Sequence, residues 1–105
     1  MKKFKTYLGL SIKSNQIVIG QDRLKSYNKR VSLLIICPTA SKNLNDLAVR
    51  LAVKFNCPLI KTINDLETEA NIRNCKLLGL TNDSLSGAIL SQEDEFTFIR
   101  RNNGK

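Results

Sequence analysis

Apolar residues recur at helical spacing in the middle of the chain. They occupy positions i, i+3, i+4, i+7, i+8 and i+11 and form one continuous face, made of Leu44, Leu47, Ala48, Leu51, Ala52 and Phe55. Ser41 or Asn43 can cap the start of this helix, because both side chains accept hydrogen bonds from free backbone N–H groups. The pattern predicts an amphipathic helix packed on a core, with Lys42, Arg50 and Lys54 in solvent.

Short apolar runs alternate with helical segments along the rest of the chain. Residues 31–37 are almost wholly apolar, which is typical of a central strand buried on both faces. Shorter runs predict strands, and helical patterns predict helices: strands at 16–19, 58–61 and 76–80, helices at 2–14, 21–28, 65–71 and around 85–89. This alternation predicts a single α/β domain, a three-layer α/β/α sandwich with a four-stranded mixed sheet.

The C-terminal residues 93–105 differ in character from the rest. Acidic residues 93–95 precede an apolar stretch, 96–99, which is followed by Arg100 and Arg101. The apolar stretch is either an added strand or a segment that covers the core. We interpret residues 93–105 as a tail of the one domain, which spans residues 1–105.

The charge of the chain is strongly positive and unevenly distributed. Hydrophobic residues make up 42% and charged residues 25%, as in an ordinary globular protein, but the net charge is +8. Such a balance favours an anionic partner, nucleic acid or less often a membrane surface. Before Val31, only Asp22 is acidic, whereas eight residues are basic: Lys2, Lys3, Lys5, Lys13, Arg23, Lys25, Lys29 and Arg30. We expect the partner-facing surface to be built from this first third.

Residue types that catalysis and metal binding commonly use are scarce. The chain has no histidine, which removes the usual general base and the commonest metal ligand. Cys37, Cys57 and Cys75 are too far apart for paired metal-ligand spacing, and we interpret them as small buried thiols. Neither the three-glycine dinucleotide fingerprint nor the glycine-lysine-serine ending of a P-loop occurs. We therefore expect no enzyme activity, no cofactor and no metal.

The cysteines and the N-terminal sequence also indicate a compartment. An odd number of cysteines and the lack of a signal-peptide pattern favour the reducing cytoplasm. No stretch has the length and apolar character of a membrane span, so we expect a cytoplasmic protein without a membrane partner.

The best candidate for a binding site lies where a predicted strand meets a predicted helix. Ile17–Ile19 favours a strand because all three residues are β-branched, and Gly20 ends it. The segment Gln21–Ser26 can then begin a helix whose free N–H groups bind an anion, with Arg23 and Lys25 beside it. The alternative is an ordinary β-to-α connection with solvated charges.

A series of short motifs between residues 7 and 90 carries a family resemblance. The motifs are the Leu8-Gly9-Leu10 helix, Lys13 and Ser14, the strand Ile17–Ile19 with Gly20, the strand Leu33–Ile36, Ala40 with Ser41, Pro58, and Leu66 at a helix start. In their order and spacing they resemble the L-seven-Ae ribosomal protein family, the kink-turn RNA binders, and above all its small bacterial YlxQ-type members.

The sequence departs from the RNA-binding members of that family at three positions after the glycine. Those members carry an asparagine-glutamate pair and, further on, a lysine where this chain has Asp22, Arg23 and Ser26. Asp22 offers only acceptors and Arg23 only donors, and Lys25 lies one place early for the lysine. We therefore expect RNA binding with weak sequence preference.

The resemblance implies a ribosomal-protein-like RNA-binding protein of the translation apparatus. Its partners would be structured RNA, a kink-turn or ribosomal RNA, together with the ribosome or translation factors, and we expect a monomer. The residues that the resemblance and the charge pattern assign to RNA binding are Lys13, Ser14, Gly20, Gln21, Asp22, Arg23, Lys25, Ser26, Ile72 and Arg73. These segments are expected to converge on one face.

Two other functions remain open at this point. The departures at Asp22, Arg23 and Ser26 also fit a protein-interaction module of the same fold that has lost specific kink-turn binding. A nucleotide-binding domain or enzyme would use Gly20 to hold a phosphate, but the glycine motifs for this are missing. Steep weakening of RNA binding with salt would favour the first function over the interaction module.

Overall fold

The computed structural model describes residues 3–63, 65 and 75–100. In chain order the elements are α1 (Lys3–Lys13), β1 (Ile17–Ile19), α2 (Gln21–Ser26), β2 (Leu33–Ile36), α3 (Lys42–Phe55), β3 (Leu59–Thr62), β4 (Leu77–Leu80), α4 (Asp83–Leu90), a short 3-10 helix (Glu93–Glu95) and β5 (Phe96–Arg100). Apart from Asp65, the helix expected at residues 65–71 lies outside the described residues.

The strands form one mixed sheet of five strands in the order β1-β4-β2-β3-β5, so the expected number of four is wrong. The added strand is β5, which settles the alternatives left open for residues 96–99. It pairs with β3 in antiparallel fashion and buries Phe96, while Thr97 is exposed. The sheet is mixed because β2 and β3 run parallel and the other pairs are antiparallel. A parallel pair needs a long crossover, and α3 supplies it.

Strand β2 lies inside the sheet, between β4 and β3, as its apolar run predicted. All four of its residues are fully buried. Leu33 and Ile35 point into a cluster that includes residues of α1 and α4, whereas Leu34 and Ile36 join residues of α2 and α3. Because side chains of a strand alternate between faces, the sheet is covered by one helical layer on each side.

Helix α3 begins at the cap that the sequence suggested and packs through the predicted stripe. The Leu44 N–H donates a hydrogen bond of 3.2 Å to Ser41 Oγ, and Asn56 ends the helix in the left-handed conformation with a φ of 53°. Three stripe residues are buried, Ala48, Leu51 and Ala52, and the other three are half-buried: Leu44, Leu47 and Phe55. The stripe is thus core-facing, with its deepest contacts in the middle of the helix.

The three cysteines are buried thiols without disulfides, as their apolar surroundings predicted. Burial raises the pKa of the Cys57 thiol to about 11, and the positive charge of Arg100 offsets part of this rise. The thiol is therefore protonated at neutral pH, and only a thiolate acts as a nucleophile or metal ligand.

Candidate functional site

Gly20 joins β1 to α2 in a backbone conformation that other residues rarely adopt. Its φ is 94° and its ψ is 150°, and the Leu24 N–H donates to its carbonyl at 3.2 Å. The Gly20 N–H donates to the Leu77 carbonyl at 3.0 Å, at the start of β4. This amide is therefore used within the fold, and Gly20 is needed for its conformation and for the turn into α2.

Helix α2 is short and depends on its contacts with the sheet. It has six residues, of which Leu24 is the buried one. Gly79 of β4 lies beneath it: a Cβ atom added at Gly79 would come within 3.0 Å of Leu24 Cδ2 and 3.1 Å of Val31 Cγ1. The helix approaches β4 closely because Gly79 has no side chain.

The remaining side chains of α2 form an exposed polar face. Gln21, Asp22, Arg23, Lys25 and Ser26 are all exposed. The Ser26 hydroxyl lies 3.3 Å from both the Asp22 and the Arg23 carbonyls and donates within the helix. Arg23 and Lys25 make no ion pair within the described part of the chain, so their charges are open to an anionic partner.

The structure separates Lys13 and Ser14 from Gly20 along β1. The Ser14 hydroxyl donates to the Leu10 carbonyl at 2.7 Å, and its oxygen also lies 3.0 Å from Gln16 Oε1, before β1 begins. Gly20 follows the other end of that strand, about 13 Å from Gln16 at a strand rise of roughly 3.3 Å per residue. The Ser14 hydroxyl is thus used inside the turn, while Lys13 is exposed at the end of α1.

Ile72 and Arg73 lie outside the described residues. The chain after them enters β4 through Cys75, which is buried, and reaches Leu77, the residue that accepts the Gly20 N–H. Of the ten residues predicted to bind RNA, the structure therefore brings together six, which are Gly20 and the five predicted residues of α2.

The C-terminal end of α2 is joined to the last turn of α3 through Lys54. Its ammonium group donates to the Lys25 carbonyl at 3.0 Å and to the Tyr27 carbonyl at 3.2 Å. It also lies 5.0 Å from the centroid of the Phe55 ring. Lys54 was expected to be a solvated surface residue; it is exposed, but it also satisfies carbonyls that a helix end leaves free.

Tyr27 and Phe55 meet at this junction, and neither was predicted to be a site residue. Their ring centroids are 6.4 Å apart with an interplanar angle of 63°. The available signal was an aromatic residue at the end of each helix beside the basic residues Lys29, Arg30 and Lys54. The pairing itself could not be read from the sequence, because the two rings are far apart in the chain.

The positive charge is concentrated on the helical layer formed by α2 and α3. From Gly20 to Asn56 the acidic residues are Asp22 and Asp46, and seven are basic: Arg23, Lys25, Lys29, Arg30, Lys42, Arg50 and Lys54. We call the exposed side of α2, the loop after it and α3, with these seven residues, the α2–α3 surface. The basic surface thus extends beyond the first third of the chain into α3.

Most of this charge is not neutralised inside the protein. In the described ranges the one ion pair joins Arg30 to Asp83 at 3.3 Å, and the two side chains are 76% and 64% exposed. A pair so exposed contributes little and opens easily. Among the residues described, no group of histidine, cysteine, aspartate and glutamate is placed to hold a metal ion. No helix within the same residues has the length and hydropathy needed to cross a bilayer.

Comparison with family models and with curated proteins found no match. Among solved structures, the fold matches that of a protein with unknown function from Bacillus halodurans C. The two chains share 19% sequence identity with a TM-score of 0.77, over 90% of this chain and 100% of the other. At this identity the likeness establishes a shared fold and says nothing about a ligand or a reaction.

Proposed function

We propose that this protein binds structured RNA through the α2–α3 surface, as a cytoplasmic accessory protein of the translation apparatus. The observation that carries the proposal is the seven basic residues against two acidic ones on that surface. Exposed cations of a protein displace the counterions condensed on RNA phosphates, and the release of these counterions favours binding. The resemblance to the L-seven-Ae family, with its three-layer α/β/α sandwich, supports the same proposal.

The chemistry of α2 favours contacts with the RNA backbone over reading of bases. Arg23 and Lys25 are exposed cations that suit phosphate oxygens. Asp22 offers only acceptors where the kink-turn binders have an amide side chain that both donates and accepts. We therefore propose recognition by shape and phosphate spacing, with weak preference among structured RNAs.

The test compares a kink-turn RNA with an unrelated hairpin at several salt concentrations. Arg23→Glu combined with Lys25→Glu should weaken binding of both RNAs about equally, by about tenfold or more at low salt. The slope of log affinity against log salt should become shallower by about one to two, because phosphate contacts are lost.

A matched pair of single variants locates the surface. Lys25→Glu and Lys5→Glu change the charge equally at exposed positions, but Lys5 lies on α1 in the other layer. Only Lys25→Glu should weaken binding markedly. Equal losses for both would contradict the choice of the α2–α3 surface, and absence of salt-sensitive binding by the parent protein would contradict RNA binding itself.

A protein partner is the second candidate function, and one observation favours it. Val49 and Val53 on α3 are 38% and 59% exposed, one turn apart, beside Arg50. An apolar strip within a basic surface suits an acidic protein segment with apolar anchors. Binding that survives high salt and is lost in Val53→Ser would favour this candidate over RNA.

A further inference from the structure

A cleft lies between the loop that follows α2 and the last turn of α3. Its volume is about 340 Å³, and its lining residues are Tyr27, Asn28, Lys29, Arg30, Lys54 and Phe55. This volume falls in the range of small-ligand sites. The cleft lies beyond the end of α2, whereas Gly20 precedes its start, so it is separate from the strand-glycine-helix site.

One wall of the cleft is aromatic and held in place. Tyr27 and Phe55 are half-buried and meet at 63°, which forms a corner of two ring surfaces. Lys54 holds the backbone of this corner through its bonds to the Lys25 and Tyr27 carbonyls. Flat aromatic ligands stack on such rings, and every nucleobase can do so because each has a π-face.

The cleft is also lined by exposed cations. Lys29 is exposed and makes no ion pair in the described part of the chain. Among the residues described, Arg30 pairs with Asp83 in an exposed ion pair, and an incoming phosphate can replace that carboxylate. A second cavity of about 200 Å³ shares Arg30 and Phe55 with the first and extends past Ser32 and Asn56. It offers polar groups next to the aromatic corner.

We propose that this cleft binds one nucleotide unit, with the base against Tyr27 and Phe55 and the phosphate on Lys29 and Arg30. The inference rests on the proposed function for its main source, an unpaired nucleotide of a bound RNA. Aromatic surface beside free cations matches the two halves of a nucleotide, a flat base and an anion. Helix α2 is about 9 Å long, so one RNA strand can contact both Arg23 and the cleft.

The two tyrosines of the chain allow a direct test. Because the chain has no tryptophan, Tyr7→Phe leaves Tyr27 as the source of tyrosine emission. Hexauridylate and uridine monophosphate are titrated into this variant, and RNA binding is followed in parallel by anisotropy. Base stacking in the cleft should quench Tyr27 emission in step with binding. Full occupancy without quenching would overturn the inference.

Variants of the walls provide a second readout. Tyr27→Leu keeps an apolar side chain but removes the ring, and should weaken hexauridylate binding about tenfold. Lys29→Glu is an exposed change that leaves the core untouched, and it should weaken binding more than Lys42→Glu, the same charge change at the other end of α3. Equal effects of Lys29→Glu and Lys42→Glu would indicate diffuse attraction and contradict a defined site.

The outcomes separate this inference from the proposed function. Quenching by hexauridylate alone identifies an RNA strand as the source of the nucleotide, and quenching by the monophosphate as well shows that a free nucleotide suffices. If the monophosphate quenches Tyr27 while no RNA binds, the proposed function fails and the cleft assignment stands. If RNA binds with salt sensitivity while Tyr27 emission is unchanged, the cleft assignment fails and the proposed function stands.

Discussion

The α1–α4 layer and the α2–α3 layer cover opposite faces of one sheet, and alternate residues of β2 enter both cores. Helix α1 packs directly on α4, and Phe4 of that layer contacts Phe96 of β5 with ring centroids 6.5 Å apart. In the other layer, α2 is a short helix held by Leu24 and by the Lys54 ammonium. Both layers are therefore closed by apolar packing on the sheet, and the second layer adds polar links at the end of its short helix.

The surfaces of the two layers differ more than their cores. Helices α1 and α4 carry Lys3, Lys5 and Lys13 against Asp83, whereas the α2–α3 surface carries seven basic residues against two acidic ones. The clefts beside Arg30 and Phe55 also lie on the α2–α3 side. The α2–α3 layer therefore combines the higher positive charge with the two clefts, which makes it the better candidate for a binding surface.

The largest expected effect tests whether the two cores contribute equally to stability. Leu51→Ala in α3 and Ile89→Ala in α4 remove buried side chains, and each should lower the free energy of unfolding by about 2–5 kcal/mol. Leu47→Ala should cost less than Leu51→Ala, because Leu47 is only half-buried. Urea unfolding measures all three, and a loss below about 1 kcal/mol at Leu51 would mean that the α3 layer contributes little.

Two glycines, one under the α2–α3 layer and one in α4, sharpen the comparison. Gly79→Val should lower the free energy of unfolding by about 1–3 kcal/mol, because its side chain would collide with Leu24 and Val31. Gly87→Ala in α4 meets no atom within 4 Å and should instead raise it by about 0.5–1 kcal/mol. Thermal unfolding of both variants checks this, and a neutral Gly79→Val would contradict the close approach of α2 to β4.

The link between α2 and α3 is expected to have a moderate effect. Lys54→Met removes the ammonium bonds to the Lys25 and Tyr27 carbonyls, and should lower the free energy of unfolding by about 1 kcal/mol. Lys42→Met is the matched control at an exposed lysine without such bonds, and should change it by less than about 0.5 kcal/mol. Equal values for the two variants would show that Lys54 does not hold the end of α2.

A small stabilising effect is expected in the α1–α4 layer. The Ser86 hydroxyl is buried without a hydrogen-bond partner among the residues described, so Ser86→Ala should raise the free energy of unfolding by about 1 kcal/mol. Ser11 is buried as well, but its hydroxyl donates to the Tyr7 carbonyl at 3.1 Å, so Ser11→Ala should bring no such gain. Calorimetry on both variants distinguishes them, and destabilisation by Ser86→Ala would reveal a partner for its hydroxyl.

The elements with long or uniform apolar patterns could be predicted from the sequence. The stripe of α3 spans three turns and the run of β2 has no polar interruption, so local pattern alone specifies both. The sequence alone does not predict whether residues 96–99 form a strand. The residues of β5, FTFIR, are few and follow an acidic segment, and they form a strand by pairing with β3. Pairing between distant segments leaves no periodic signal in either one.

The candidate site was predictable only where it is contiguous in the chain. Gly20 to Ser26 lie together because they are neighbours in sequence, and their exposure follows from one buried residue, Leu24. Ser14 and Gly20 lie at opposite ends of β1, and the positions of basic residues in the sequence do not indicate this separation. The Tyr27–Phe55 contact and the bonds of Lys54 depend on how α2 and α3 pack, so no local pattern indicates them.

The concentration of charge on the α2–α3 surface also acts on the protein itself. Like charges on one layer repel each other, so the folded state carries an electrostatic strain that salt relieves. The same salt weakens attraction to a polyanion. Ionic strength should therefore have two opposite effects: it stabilises the isolated protein and weakens the proposed complex with RNA. If RNA binds this surface as proposed, it neutralises the repulsion, and the protein should then resist unfolding more than it does alone.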